Sequence, residues 1–169
     1  MTDPSIPVDT PGLTSPFGML RFAEQYRRAG QIVIGSDERM SLYAPAYSMI
    51  GQSIELSLKA FLLARRVPLD VLRHQYGHRL EQLLDEALRR RITRLVPLLD
   101  FHIQAVRLLA PAYARHEFRY IVTGSRSLPS WGFIAHTAAE LTRCQHDWLL
   151  RRRIGKVAAF QRTALRGKF

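Results

Sequence analysis

Glu55 and Lys59 stand one helical turn apart in Ile54-Glu55-Leu56-Ser57-Leu58-Lys59-Ala60. The acid precedes the base, which is the favoured order for an i, i+4 pair. Leu62 and Leu63 flank the pair, so it is expected to be half buried and to need further polar partners, because a charge taken from water is costly until it is bonded. Two downstream segments carry suitable groups: Tyr76-Gly77-His78-Arg79-Leu80 and Phe118-Arg119-Tyr120. Other arrangements fail as sites. His116-Glu117-Phe118-Arg119-Tyr120 begins like a zinc-protease helix but lacks the second histidine, and Gly51-Gln52-Ser53-Ile54-Glu55 begins like a nucleophile elbow but lacks its closing glycine. His136, Glu140, Arg143 and Asp147 share one helix side, a spacing better explained as an outward face of mixed charge than as a metal site. No glycine-rich phosphate loop is present, and neither a metal nor a cofactor is expected.

The elements that must position these residues read as helices. Tyr47, Ile50, Ile54, Leu58 and Phe61 form one face of a segment over about residues 40–66, with Met49, Leu56, Ala60 and Leu63 on another. A helix apolar on two sides lies inside a bundle, and Pro68 enforces its end. A first helix is predicted over 15–33 from Phe17, Leu20, Ala23, Tyr26 and Ala29. A third is predicted over 78–92 from Leu80, Leu83, Leu84, Ala87 and Leu88, after a connection at 69–77. A fourth is predicted over 94–114 from Leu95, Leu99, Val106, Leu109 and Tyr113, and a last over 131–153 from Ile134, Ala138, Leu141, Gln145 and Trp148. No strand-like alternation persists. The expectation is an all-α, up-and-down bundle of about five helices over 15–153, with a proline-punctuated lead at 1–14 and a basic tail at 154–169.

Composition narrows the class. The chain of 169 residues is 47% hydrophobic, enough for a core that needs no staples. Cys144 is the single cysteine, so no internal disulfide or cysteine-cage metal site can form. No basic, apolar leader opens the sequence and no run of about 18 apolar residues suggests a membrane span, so the reading is a cytoplasmic protein without membrane contact. Of the net charge of +11, a +7 share falls between Arg151 and Phe169, with Arg89, Arg90, Arg91 and Arg94 adding a second cluster. Such clusters suit a phosphate polymer or an acidic protein partner. Arg151, Arg152, Arg153 and Lys156 are the candidate contacts, joined by Arg126 in the loop Gly124-Ser125-Arg126-Ser127 and by Trp131 as a stacking surface.

The order Glu-x-x-x-Lys-Ala, then Gly-His-x-Leu-x-x-Leu, then Arg-Tyr resembles the HEPN family (higher eukaryotes and prokaryotes nucleotide-binding) over about residues 41–120. The resemblance implies a helical bundle that often pairs face to face, hence a homodimer, with Phe17, Phe22, Trp131 and Phe133 as surface for the partner. It implies RNA or nucleotide binding, in a defence or stress-response system of the toxin–antitoxin kind. It also implies a polar cluster of Glu55, Lys59, His78, Arg119 and Tyr120. Nuclease members use Arg followed after four to six residues by His. Arg73 and His78 alone have that spacing here, and a neutral imidazole could take a ribose 2′-OH proton while the guanidinium holds the phosphate. In nuclease members, however, the motif lies toward the final helices. His78 therefore has two roles open to it: it starts the third helix against Glu55, or it is a catalytic base of a metal-independent endoribonuclease. A non-catalytic interaction module with a basic tail is the third reading.

Overall fold

The computed structural model describes residues 14–36, 42–120 and 127–166, and among these the side chains of all but 154 and 156–166. Arg126, the Lys156 side chain, residues 1–13 of the expected lead and 167–169 of the expected tail lie outside what is described.

The described residues are all-helical and form a bundle. Six α-helices follow in order: α1 (Pro16–Ile34), α2 (Tyr43–Ala64), α3 (Leu69–Val71), α4 (Leu80–Arg89), α5 (Asp100–Ala114) and α6 (Trp131–Arg166). Helix α1 begins where its cap dictates: Ser15 Oγ accepts the Gly18 N–H at 2.9 Å, with Pro16 in the first turn. Helix α2 packs against α1, α4, α5 and α6, which makes it the centre of the fold and accounts for its two buried faces. Ile50, Ile54, Leu58, Phe61 and Leu62 are fully buried on it. Leu80, Leu83, Leu84 and Ala87 close the core from α4, and Ile134, Ala138, Leu141 and Gln145 from α6.

Three boundaries differ from the sequence expectation. The 69–77 connection is helical: the one-turn α3 runs into a π-helical turn at Leu72–Tyr76 that ends on Gly77. The fourth helix starts at Asp100 rather than 94, because Pro97 keeps the chain before it out of the helical region and only a 3-10 turn forms at Ile92–Arg94. Leu99 is consequently 59% exposed instead of belonging to a stripe. The last helix does not stop at Arg153 but continues to Arg166.

The start of α5 is held by a histidine. His102, 2% exposed, accepts the Leu99 N–H on Nδ1 at 2.9 Å, which leaves its proton on Nε2 to be donated to Nδ1 of His136, also at 2.9 Å. Burial first, and then the neighbouring His136, hold the His102 pKa below the ordinary imidazole value of 6.5, against a smaller opposing effect of Glu140. The folded state therefore favours neutral His102. That contribution to stability is complete above about pH 6.5 and is lost as pH falls toward the lowered folded-state pKa. Thermal melts between pH 7.5 and 5 should show the midpoint falling with acidity, before most carboxylates titrate. The slope should flatten in His102→Gln, and an equal slope in that variant would refute the assignment.

Candidate functional site

Glu55 is 2% exposed, yet three donors converge on it. Lys59 Nζ donates to Oε1 at 2.7 Å, while His78 Nδ1 and the Tyr113 hydroxyl reach Oε2, each at 2.8 Å. A carboxyl group receiving three donors is the anion. His78 must then carry a proton on Nδ1, and in the neutral imidazole Nε2 holds the lone pair. The ring edge meets the His116 ring at 5.1 Å and 76°, and the Tyr113 ring at 6.2 Å and 75°. The His78 side chain is 41% exposed, and no group among the described residues bonds Nε2. The site is a buried anion, a buried ammonium, and a half-exposed imidazole whose far nitrogen faces away from the carboxylate.

Each position follows from local backbone. Gly77 adopts φ +51° and ψ −122°, a region that side chains with a Cβ seldom enter. The turn it makes at the end of the π-helical segment lays His78 onto Glu55 before α4 begins. The helix boundary falls on Arg79, not His78, so His78 serves the carboxylate rather than capping the helix. Gly51, one turn ahead of Glu55, allows the second approach. A Cβ placed on it would lie 2.4 Å from Cδ2 of Tyr113, so only glycine lets the Tyr113 ring lie flat enough on α2 for its hydroxyl to reach Oε2. The Tyr113 hydroxyl also lies 2.7 Å from Gln52 Oε1, so its one proton is shared between the amide oxygen and the carboxylate. Burial, followed by the Glu55 charge and hydrogen bond, raises the Tyr113 pKa far above the ordinary tyrosine value. It is a donor at every physiological pH.

Of the expected cluster, the structure joins Glu55, Lys59 and His78. Arg119 is not among the partners of Glu55. It lies past the end of α5, exposed, and its charge acts on the Tyr113 phenol. Tyr120 is 70% exposed. Arg73 is exposed on the π-helical turn. Trp131 packs edge-on against Tyr47, at 5.4 Å and 74°, and Tyr47 in turn stacks on Phe118 and donates its hydroxyl to the Pro129 carbonyl. Trp131 is thus partly committed to the core. Arg151, Arg152 and Arg153 are exposed on α6. On the opposite count, Tyr113, Gln52, Gly51 and His116 were not recognisable as site residues. Tyr113 read as one more apolar position of its helix, and the glycine–tyrosine contact spans two helices that sequence spacing does not relate. His116 stands at φ +57°, one of three non-glycine residues (with Arg66 and Arg91) in the left-handed turn that ends a helix.

No family model, curated protein or solved structure matches this chain.

Proposed function

We propose that this protein is a HEPN-like helical module that binds RNA or a nucleotide, as a homodimer, in a defence or stress-response setting. The supporting observation is the half-exposed His78, fixed through Nδ1 by a buried carboxylate while Nε2 has no partner among the described residues. A structural histidine satisfies both nitrogens or buries its ring, whereas this one offers a bonding atom to an incoming group. Nitrogen-15 NMR of the imidazoles during addition of AMP or a short RNA tests it. The His78 Nε2 resonance should move with saturation behaviour while that of His102 stays fixed. Unchanged His78 resonances at millimolar nucleotide and micromolar RNA would refute this site. The homodimer places Phe22 (59% exposed, on α1) and Phe133 (55% exposed, on α6) in the contact, and a monomer mass by light scattering at micromolar concentration would refute it.

The same geometry favours a second reading, a metal-independent endoribonuclease. An imidazole whose Nδ1–H is held by a carboxylate presents a basic Nε2, the arrangement required of a general base. His78→Ala separates the roles. Loss of a structural contact lowers stability by about 1–3 kcal/mol. Loss of a catalytic base lowers metal-free RNA cleavage by at least about 100-fold with melting nearly unchanged.

A further inference from the structure

Some arginines of this bundle are paired with carboxylates and others are not. Arg27 and Arg28 pair with Glu24, Arg89 and Arg90 with Glu86, Arg107 with Asp85, Arg115 with Glu117 and Arg143 with Glu140. Arg65, Arg94, Arg151 and Arg152 are exposed and have no carboxylate within ion-pair reach among the described residues. Three of these four are tied to one place. The Arg65 and Arg152 guanidiniums lie over the Trp148 ring, 5.7 and 4.8 Å from its centroid. Trp148 is half-buried, anchored on Phe61 at 5.9 Å, so the platform is rigid from below. Trp148, Arg151 and Arg152 line a groove of about 700 Å³ with Leu95, the residue next to Arg94. Arg90 bonds the Arg65 carbonyl at 3.1 Å, which ties the end of α4 to the end of α2 beside it. Asp147, exposed and bonded to His146, is the carboxylate in the groove.

We infer that this end of the bundle is a docking surface for single-stranded nucleic acid, separate from the His78 site, and the inference rests on the RNA-binding reading above. Two features select that partner. A cluster of guanidiniums without carboxylate partners suits the charge of a phosphate backbone better than a compact anion. The Arg65 and Arg152 guanidiniums gathered at the Trp148 indole combine cationic and aromatic groups in one place, the combination by which single strands are held without sequence preference.

Fluorescence anisotropy with a labelled 12-nucleotide single-stranded RNA, titrated onto the full chain at several salt concentrations, tests the surface. In Arg65→Gln/Arg151→Gln/Arg152→Gln, affinity should fall at least tenfold. The slope of log affinity against log salt should shrink by about 2, because roughly three phosphate contacts at 0.7 each are removed. A control triple, Arg21→Gln/Arg107→Gln/Arg115→Gln, removes equal charge elsewhere and should bind within about twofold of wild type. Arg152→Lys keeps the charge but loses the plane, so it should weaken binding several-fold with the salt slope intact. Equal losses in the two triples would reduce the effect to net charge and overturn the inference, as would wild-type binding by Arg152→Lys. Polyglutamate binding as tightly as RNA would overturn it in favour of an acidic protein partner. RNA binding that survives the first triple while still shifting His78 would overturn this surface and leave the His78 reading standing. No RNA or nucleotide binding at all would overturn both.

Discussion

Gly51→Ala should destabilise the protein by about 3 kcal/mol or more, the upper range for forcing a methyl group into a packed interior, and lower the melting midpoint by roughly 6–12 °C. The added Cβ would sit 2.4 Å from Cδ2 and 2.5 Å from Cε2 of Tyr113. These are ring atoms of a side chain that is itself 6% exposed, so the ring cannot turn aside without moving α5 off α2. Its hydroxyl would also leave Oε2 of Glu55. Two effects are therefore combined, steric displacement and the loss of a charge-assisted hydrogen bond. A double-mutant cycle with Tyr113→Ala separates this account from a generic helix effect. Glycine to alanine within a helix is otherwise stabilising by about 0.5–1 kcal/mol. In the Tyr113→Ala background the sign should therefore reverse, Gly51→Ala becoming neutral or mildly stabilising. Additive penalties would disprove the contact as the cause.

That glycine marks the limit of what the sequence alone discloses. The long-range features that could be read share a local origin. Helix α2 declares its burial through two apolar faces, and Leu62 and Leu63 beside Glu55 and Lys59 point to a half-buried pair, which the structure buries further. The Gly77-His78 step announces a turn with a polar residue delivered just after it, and the structure puts that imidazole on Glu55. What could not be read depends on which helix lies across from which. Tyr113 and Arg119 are both plausible partners for a carboxylate. The choice between them is made by α5, which carries Tyr113 alongside Gly51 and ends at Ala114, leaving Arg119 beyond the left-handed turn at His116. The Trp148 platform was likewise hidden. Trp148 fits the α6 core stripe, and nothing in the spacing of Arg65 relates it to Arg152. Pro97 is visible in the sequence, but the apolar residues on either side of it suggest one helix where its ring permits a short turn and a fresh start at Asp100.

Glu55→Ala should be the most damaging single change at the site. It removes the shared acceptor of Lys59, His78 and Tyr113 at once. The consequences differ for the three. His78 is half-exposed and can turn to water, and Tyr113 retains the Gln52 amide. Lys59 has neither outlet, since its side chain is 9% exposed and Glu55 is its ion-pair partner. Leaving one member of a buried pair uncompensated costs about 3–5 kcal/mol. The same reasoning predicts that much of this cost lies in the stranded ammonium rather than in the attraction lost. Glu55→Leu combined with Lys59→Met should therefore recover most of the stability, because two apolar side chains of similar volume replace the pair among Ile54, Leu58 and Leu62. Chemical denaturation of the single and double variants measures it, with the midpoint compared at unchanged slope. A double variant as unstable as Glu55→Ala would show that the carboxylate is needed chiefly as the acceptor of His78 and Tyr113, and that the ammonium is incidental. If the double variant refolds fully, its His78 has lost the carboxylate that fixes the ring. The nucleotide-induced shift at Nε2 should then weaken or disappear in a protein that is otherwise as stable as wild type. That outcome ties Glu55 to function through the orientation of His78, over and above any role in holding the bundle together.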